Sequence, residues 1–303
     1  MSEPREVYTL DDLRRWPEAT TGVQPPLRLA VIGDPVAHSV SPQMHNAALM
    51  GLGIDVRYTR LHLRPEEVHE ALGLLAPQSF IGINCTIPHK TAVYRGVQML
   101  DVTAQLAGGV NTVLVRRDGQ LAGFSTDGEG FARAVQESFG VALRDLRVAV
   151  LGAAGGAGRA VAMQCAGVGC PRIFLHNRTV EKLNSLMAAV LSFYPECPLT
   201  ATGLDNIHPG EVDLLVNCTA LGMKPGDASV VPPDRLRPQH LVFDTIYTAS
   251  RTPLMLAADA VGARAENGLP MLLHQGAISF EHWFDRPAPL EVMRAALVAA
   301  APR

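Results

Sequence analysis

The run Arg147-Val148-Ala149-Val150-Leu151 leads straight into Gly152-Ala153-Ala154-Gly155-Gly156-Ala157-Gly158, and this junction restricts the fold more than any other stretch. An unbroken apolar, β-branched run predicts a strand buried on both faces, as in a parallel sheet. Glycines at its end permit a tight turn and let the backbone approach a ligand closely. Arg159 to Gly167 then reads as a helix, and Arg172 to His176 as a second strand. Strand, glycine turn, helix and strand together predict a doubly wound sheet. In such sheets ligands lie beyond the carboxyl ends of the strands, and a pyrophosphate sits against the free N–H groups of the helix. The spacing is Gly-x-x-Gly-x-x-Gly, one residue off the usual dinucleotide fingerprint, so the flanking elements carry the inference.

The end of the second strand bears on which dinucleotide is bound. A sheet that binds NAD usually presents an acidic residue there to the ribose 2′-hydroxyl, whereas this chain has Asn177-Arg178-Thr179, with Lys182 one turn on. A carboxylate would repel a 2′-phosphate and a guanidinium pairs with it, so NADP is preferred over NAD. Without an anion, Arg178 would sit unfavourably near the positive end of a helix dipole. Two more strands, Asp213 to Cys218 and Leu241 to Asp244, end in Thr219-Ala220-Leu221-Gly222-Met223 and Thr245-Ile246-Tyr247, placing small or hydroxyl-bearing residues toward the cofactor. Thr252-Pro253 starts a helix to about Val261.

Upstream, Leu27 to Gly33 predicts a first strand, followed by the loop Asp34 to Ser41 and a helix from Pro42 to about Leu52. Ser39 and Ser41 stand at that helix's amino terminus, where two hydroxyls and free N–H groups make a carboxylate cradle; Ser41 serves equally well as a simple helix cap. Strand Val56 to Leu61 and helix Pro65 to about Leu75 follow. Phe80 to Cys85 then forms a strand that ends in Thr86-Ile87-Pro88-His89-Lys90, so Thr86 and Lys90 project from a strand's carboxyl end. A helical segment near Asp101 to Ala107 and a strand from Val110 to Val115 complete a β-α-β-α-β rhythm, which predicts a largely parallel sheet. Asp118-Gly119 turns the chain into Gln120 to Phe124, adding one antiparallel partner. Ser125-Thr126-Asp127-Gly128 leads into a helix ending near Phe139-Gly140, and Asp127 reads locally as a helix cap.

With 303 residues, two domains are expected: an amino-terminal extension over 1–27, a substrate-binding domain over 28–126 and 268–303, and a Rossmann-like NADP-binding domain over 127–267. Thr9 to Leu13 could start a short helix through Trp16, and Thr20 to Pro26 reads as a linker. The block Asn267 to Gln275 opens a helix through Trp283, and Pro289 starts a last one. These two helices are surplus to the cofactor domain and are expected to pack back on the first, making the interdomain cleft the active site. A balance of 26 Lys plus Arg against 29 Asp plus Glu offers no strong field for nucleic acid or an acidic membrane, which points to a small-molecule ligand. Five cysteines without Cys-x-x-Cys spacing suggest reduced thiols in the cytoplasm. The amino terminus lacks a secretory pattern, and no run is long enough for a membrane helix. The histidine spacings fit no familiar zinc motif, so no metal site is expected.

Taken together, the segments Gly33-Asp34-Pro35 through Ser39-Val40-Ser41-Pro42 to His45-Asn46, Asn84 to Lys90, Val110-Asn111-Thr112, Ser125-Thr126-Asp127-Gly128, the glycine loop, Asn177-Arg178-Thr179 and Gly268 to Gln275 resemble the shikimate dehydrogenase family. The resemblance runs from Val31 to Trp283 and rests on joint order and spacing. It implies reversible NADPH-dependent reduction of 3-dehydroshikimate to shikimate, a step of aromatic amino-acid (chorismate) biosynthesis, by a monomer or homodimer. Lys90 would transfer the proton, with Asp127 as its partner. Ser39, Ser41 and Tyr247 would hold the substrate carboxylate, and Thr86, Asn111, Asp127 and Gln275 the ring hydroxyls. Gly152, Ala153, Ala154, Gly155, Gly156, Ala157, Asn177, Arg178, Thr179, Lys182, Thr245 and Gly268 would contact NADP. The chain departs from the family pattern at Cys85, Gly109, Ser125, Ala220 and in the longer glycine loop, none of them a catalytic position. A quinate/shikimate or aminoshikimate dehydrogenase, a non-catalytic ligand sensor on the same scaffold, and a folate-linked methylene dehydrogenase are the alternative readings.

Overall fold

Apolar residues at the spacing of one helix face and short buried strands alternate through the first 126 residues. The helix Val68–Leu75, for instance, buries Val68, Ala71, Leu72 and Leu75, the i, i+3, i+4, i+7 stripe of an amphipathic helix. The computed structural model describes residues 3–203, 209–224, 226–248 and 250–301. It divides into two units, residues 1–126 with 276–300 and residues 127–275 with 301–303.

Unit 1 contains, in order, α1 (Leu10–Arg14), α2 (Trp16–Ala19), β1 (Leu27–Gly33), α3 (Ser41–Gly51), β2 (Arg57–His62), α4 (Val68–Leu75), β3 (Gly82–Cys85), α5 (Lys90–Gly96), β4 (Met99–Leu100), α6 (Val102–Ala107), β5 (Thr112–Val115) and β6 (Leu121–Phe124). Its sheet has the order β2-β1-β3-β5-β6-β4. β1 runs parallel to β2 and β3, and β4 parallel to β6, while β5 is antiparallel to both its neighbours. The β-α-β rhythm therefore holds up to β4. The reversed strand is β5, expected to continue the parallel series, because β4 passes to the far edge before β5 returns to the middle.

The segment from Tyr8 to Leu27 is not an appendage. Thr9 opens α1, its N–H and hydroxyl donating to the Asp12 carboxylate at 3.0 Å. Tyr8, Leu10, Leu13, Trp16 and Val23 are buried in one core cluster with Leu61, Leu72 and Phe80. The Trp16 ring lies 5.0 Å from Tyr8 and 5.2 Å from Phe80, and its Nε1 donates to the Leu27 carbonyl at 3.3 Å. Tyr8 also forms a parallel bridge with Leu61 on the outer edge of β2, so the segment covers part of that edge of the sheet.

Unit 2 contains α7 (Asp127–Phe139), β7 (Arg147–Leu151), α8 (Gly156–Gly167), β8 (Arg172–His176), α9 (Glu181–Phe193), β9 (Leu199–Thr202), β10 (Leu214–Asn217), β11 (Leu241–Asp244), α10 (Pro253–Ala260) and β12 (Arg264–Glu266), then the start of α11 (Leu269–Phe284). Its sheet, β12-β11-β10-β7-β8-β9, is parallel throughout. Read from β9 this is the order 3-2-1-4-5-6 of a doubly wound nucleotide sheet, with the switch point between β7 and β10. The chain re-enters unit 1 at Gly276, within α11, and ends that unit in α12 (Leu290–Ala300). The return falls later than residue 268 because the first turns of α11 belong to unit 2. His274 Nε2 lies 2.8 Å from the Glu137 carboxylate on α7, and a Cβ on Gly130 would come within 2.7 Å of the Gln275 amide nitrogen.

Candidate functional site

In unit 2 the glycine turn is set by sterics. Gly152 has φ +78°, and a Cβ there would lie 2.8 Å from the Thr219 methyl and 3.0 Å from the Cys218 carbonyl carbon. A Cβ on Gly158 would strike the Gly152 carbonyl oxygen and lie 2.7 Å from the Ala153 Cα. Gly155 caps α8, whose first hydrogen bond runs from Arg159 N–H to the Gly155 carbonyl at 2.8 Å. The N–H groups of Gly156, Ala157 and Gly158 therefore have no carbonyl within the helix to take, which is the geometry that binds a phosphate. Gly152 and Ala153 donate to the His176 carbonyl at 2.8 and 3.1 Å, tying the turn to the end of β8.

Beyond β8, the Asn177 side chain donates to the Thr179 carbonyl at 2.9 Å and shapes the turn into α9. Arg178 and Lys182 are both exposed and make no ion pair among the described residues. Two unneutralised cations next to a dinucleotide turn fit a ribose 2′-phosphate. Across the switch point, the Thr245 hydroxyl donates to the Asn217 carbonyl at 2.8 Å. Gly268 lies so close to the Thr245 carbonyl that a Cβ would overlap it.

Asn217 and Asp244, ends of β10 and β11, form a buried polar network that sequence reading missed. The Asn217 amide accepts from the Thr219 N–H and hydroxyl at 3.0 and 2.7 Å, and donates to Asp244 at 3.0 Å. Asp244 also accepts from the Thr252 hydroxyl at 2.6 Å and the Ile246 N–H at 3.1 Å. Burial pushes the Asp244 carboxyl above its usual range, with those donors opposing. The available signal was a polar residue closing each of two apolar strands. Tyr247 follows β11; burial raises its hydroxyl pKa and keeps it a donor.

In unit 1 the predicted residues gather at the carboxyl ends of β1 and β3. Ser41 is the first residue of α3, 7% exposed, and its N–H donates to the Ser39 hydroxyl at 3.3 Å. His62 Nε2 and an Asp34 carboxylate oxygen lie 2.9 Å apart, fixing the start of that loop to β2. The Thr86 N–H donates to the Ile32 carbonyl at 2.9 Å, and a Cβ on Gly33 would lie 2.6 Å from the Thr86 methyl. Gly33 is thus required for Thr86 to stand beside β1. Lys90 begins α5, and its carbonyl accepts from the Val110 N–H at 3.0 Å. A Cβ at Gly109 would be 3.6 Å from the Lys90 Cβ, an ordinary contact, so Gly109 imposes nothing special on the lysine. Burial pushes the neighbouring Cys85 thiol well up, Lys90 opposing, so Cys85 stays protonated.

Asn111 is expected to face a ligand, yet its side chain is bonded within the fold. It accepts from the Thr126 N–H at 2.9 Å and donates to the Thr126 hydroxyl at 2.9 Å. It thereby holds the residue preceding Asp127, the first residue of α7 and itself 7% exposed. A second buried network joins Asn84 to Tyr58 (2.7 Å), Thr112 (3.1 Å) and Ser279 (3.0 Å). Sequence reading gave Asn84 no role, although an asparagine inside a buried strand implies such partners. Gln275 donates from Nε2 to the Leu272 carbonyl at 2.8 Å, within α11.

A doubly wound sheet with a glycine turn and two exposed cations, in one chain with a second α/β unit that carries hydroxyls and a lysine at its strand ends, defines a two-domain dinucleotide-binding protein. Residues 31–113 match the profile of the shikimate dehydrogenase substrate binding domain, and residues 268–298 that of the shikimate 5′-dehydrogenase C-terminal domain. The NADP(+) shikimate dehydrogenase of Methanopyrus kandleri is 40% identical over 89% of this chain and 94% of its own. That of Symbiobacterium thermophilum is 39% identical over 90% and 94%. The crystal structure of shikimate 5-dehydrogenase from Thermus thermophilus in complex with NADP(H) and shikimate superposes with a TM-score of 0.81 at 35% identity, covering 90% of this chain and 99% of that one. The chain belongs to the shikimate dehydrogenase family. Among the described residues, no helix is long and apolar enough to cross a membrane, and no group of three or more His, Cys, Asp or Glu could hold a metal ion.

Proposed function

We propose that the chain is an NADP-dependent shikimate dehydrogenase, interconverting 3-dehydroshikimate and shikimate. The single observation that carries this beyond family membership is the pairing of an open glycine turn with Arg178 and Lys182, exposed and without ion pairs among the described residues, at the end of β8. The residues fit NADP: the N–H groups opening α8 would take the pyrophosphate, Arg178 and Lys182 the 2′-phosphate, and Asn177, Thr179, Thr245 and Gly268 would frame the nucleotide. When bound, the cofactor supplies or takes up the hydride at the ring carbon that becomes ketone or alcohol.

The other roles belong to side chains. Ser39 and Ser41 donate to the ring carboxylate at the start of α3, where the helix dipole favours an anion, and the Tyr247 hydroxyl adds a third donor. Thr86, Asn111 and Gln275 are assigned to the ring hydroxyls; Asn111 also positions Asp127 through Thr126. Asp127 accepts from a ring hydroxyl and orients it. During reduction, negative charge grows on the ketone oxygen; the Lys90 ammonium stabilises it and delivers the proton there, and takes that proton back in the reverse direction. The residues 28–126 and 276–300 are thus assigned to substrate and 127–275 to cofactor. The five cysteines, none in a disulfide, suit a reducing, cytoplasmic setting.

Initial rates with shikimate or quinate, each with NADP⁺ or NAD⁺, test the reading, with the Lys90→Ala enzyme alongside. Oxidation of shikimate by NADP⁺ is expected to be the fastest pair, and Lys90→Ala to lose roughly 10²- to 10⁴-fold in kcat. Faster turnover of quinate would move the chain to a quinate dehydrogenase, and undiminished turnover in Lys90→Ala would overturn the mechanism.

A further inference from the structure

We infer that Arg60 is a positioning residue for the loop that carries Ser39 and Ser41, and that the amino-terminal segment around Glu6 and Tyr8 completes its setting. Arg60 lies on β2, one of the two edge strands of unit 1, and is only 9% exposed. Its Nε and Nη2 both donate to the Ser39 carbonyl, at 2.9 and 2.6 Å. Nη2 also reaches the Gln43 side chain at 3.2 Å, and Nη1 the Glu6 carbonyl at 3.5 Å. The backbone of the same residue is held by the amino-terminal segment: Tyr8 N–H donates to the Arg60 carbonyl at 2.9 Å, and His62 N–H to the Tyr8 carbonyl at 2.8 Å.

A guanidinium buried to this degree normally sits on a carboxylate, because desolvating a charge is costly. Arg60 makes no ion pair among the described residues. Its acceptors are two backbone carbonyls and one amide, and the forked pair goes to the residue whose hydroxyl takes the Ser41 N–H. Two donors converging on one carbonyl oxygen fix the peptide plane after Ser39, and with it the backbone position from which the Ser39 side chain projects. The positive charge also lies beneath the loop where an anion is to be held. Positioning and charge thus act on the same step, substrate capture, and leave proton and hydride transfer alone. The inference rests on the reading that Ser39 and Ser41 hold the substrate carboxylate.

Steady-state kinetics with shikimate and NADP⁺ on the full chain, comparing Arg60→Met, Arg60→Lys and Ser41→Ala with the parent, test it. Arg60→Met is expected to raise the shikimate KM about tenfold or more, with kcat and the NADP⁺ KM within about twofold of the parent. Arg60→Lys, which keeps the charge but not the fork, should recover part of that loss. An unchanged shikimate KM in Arg60→Met, or a loss spread equally over kcat and both KM values, overturns the assignment. If Arg60→Met does not fold, Arg60→Lys decides by the same criteria. Ser41→Ala separates the two levels: if it raises the shikimate KM while Arg60→Met does not, only the role of Arg60 falls. If Ser41→Ala leaves the KM unchanged, the carboxylate reading fails and the inference falls with it.

Discussion

His45 sits one turn after Ser41 on α3, fully buried, its ring stacked on Tyr58 at 4.5 Å and 5.2 Å from Trp283. Burial pushes its pKa down to about 3, with Asn84 opposing. Above the ordinary value of 6.5 the ring is neutral whether the chain is folded or not, so the full stability is present there. As pH falls below 6.5 the unfolded chain gains a proton that the folded one refuses until about 3, and stability is lost across that window, by on the order of a few kcal/mol. His45→Phe keeps an aromatic ring and removes the titration. Its melting temperature should fall less between pH 7 and pH 4 than that of the parent; parallel falls would show that His45 is not the group responsible. The motif that contains His45 was legible in the sequence, but its burial was not, because a sequence does not say which rings will cover α3. The same holds for Asn111, whose place in the site was legible while its bonds to Thr126 were not.

The strand, turn and helix from Arg147 to Gly167 could be read from sequence because every constraint is local. An apolar run gives the strand, and glycines stand where a side chain would meet backbone. The turn after β8 was readable for the same reason, and it presents Arg178 without a carboxylate partner among the described residues. Arg178→Ala should weaken NADP⁺ by about tenfold or more and leave NAD⁺ nearly unchanged, since only NADP⁺ has a 2′-phosphate to pair. Direct titration with both nucleotides checks this, and an equal effect on the two would remove the residue from the phosphate site. Other elements escaped because their signals are weak or not local. β9 is a four-residue edge strand of half-exposed side chains, and β12 has only three residues; of α9 the sequence marks the start but not the length, which the buried Leu183, Leu186 and Val190 set. The reversal of β5 left no mark at all, since Thr112 to Val115 look alike in either direction; the path of the chain through β4 sets it.

For the molecule as a whole, the first 27 residues changed most between sequence and structure. Polar and proline-rich, they read as an extension, because much of the surface they cover is formed by residues far along the chain, Leu61, Leu72 and Phe80 among them. Trp16 binds them to that surface at Phe80, while its contacts with Tyr8 and the Leu27 carbonyl hold the segment together. Trp16→Ala should therefore cost about 3–5 kcal/mol of stability, read from the urea midpoint at unchanged slope. A loss below about 1 kcal/mol would return the segment to the status of an appendage.

The division of unit 1 between residues 1–126 and 276–300 carries a consequence for synthesis. A ribosome delivers the chain from its amino terminus, and domains generally fold as they emerge. Asn84, in the middle of β3, must wait for Ser279, 195 residues downstream, and α3 must wait for α12, whose Val292 comes to lie beside Gly51. The whole six-stranded sheet of unit 2 leaves the ribosome in that interval. The half of the molecule that is made first is therefore the half that is finished last.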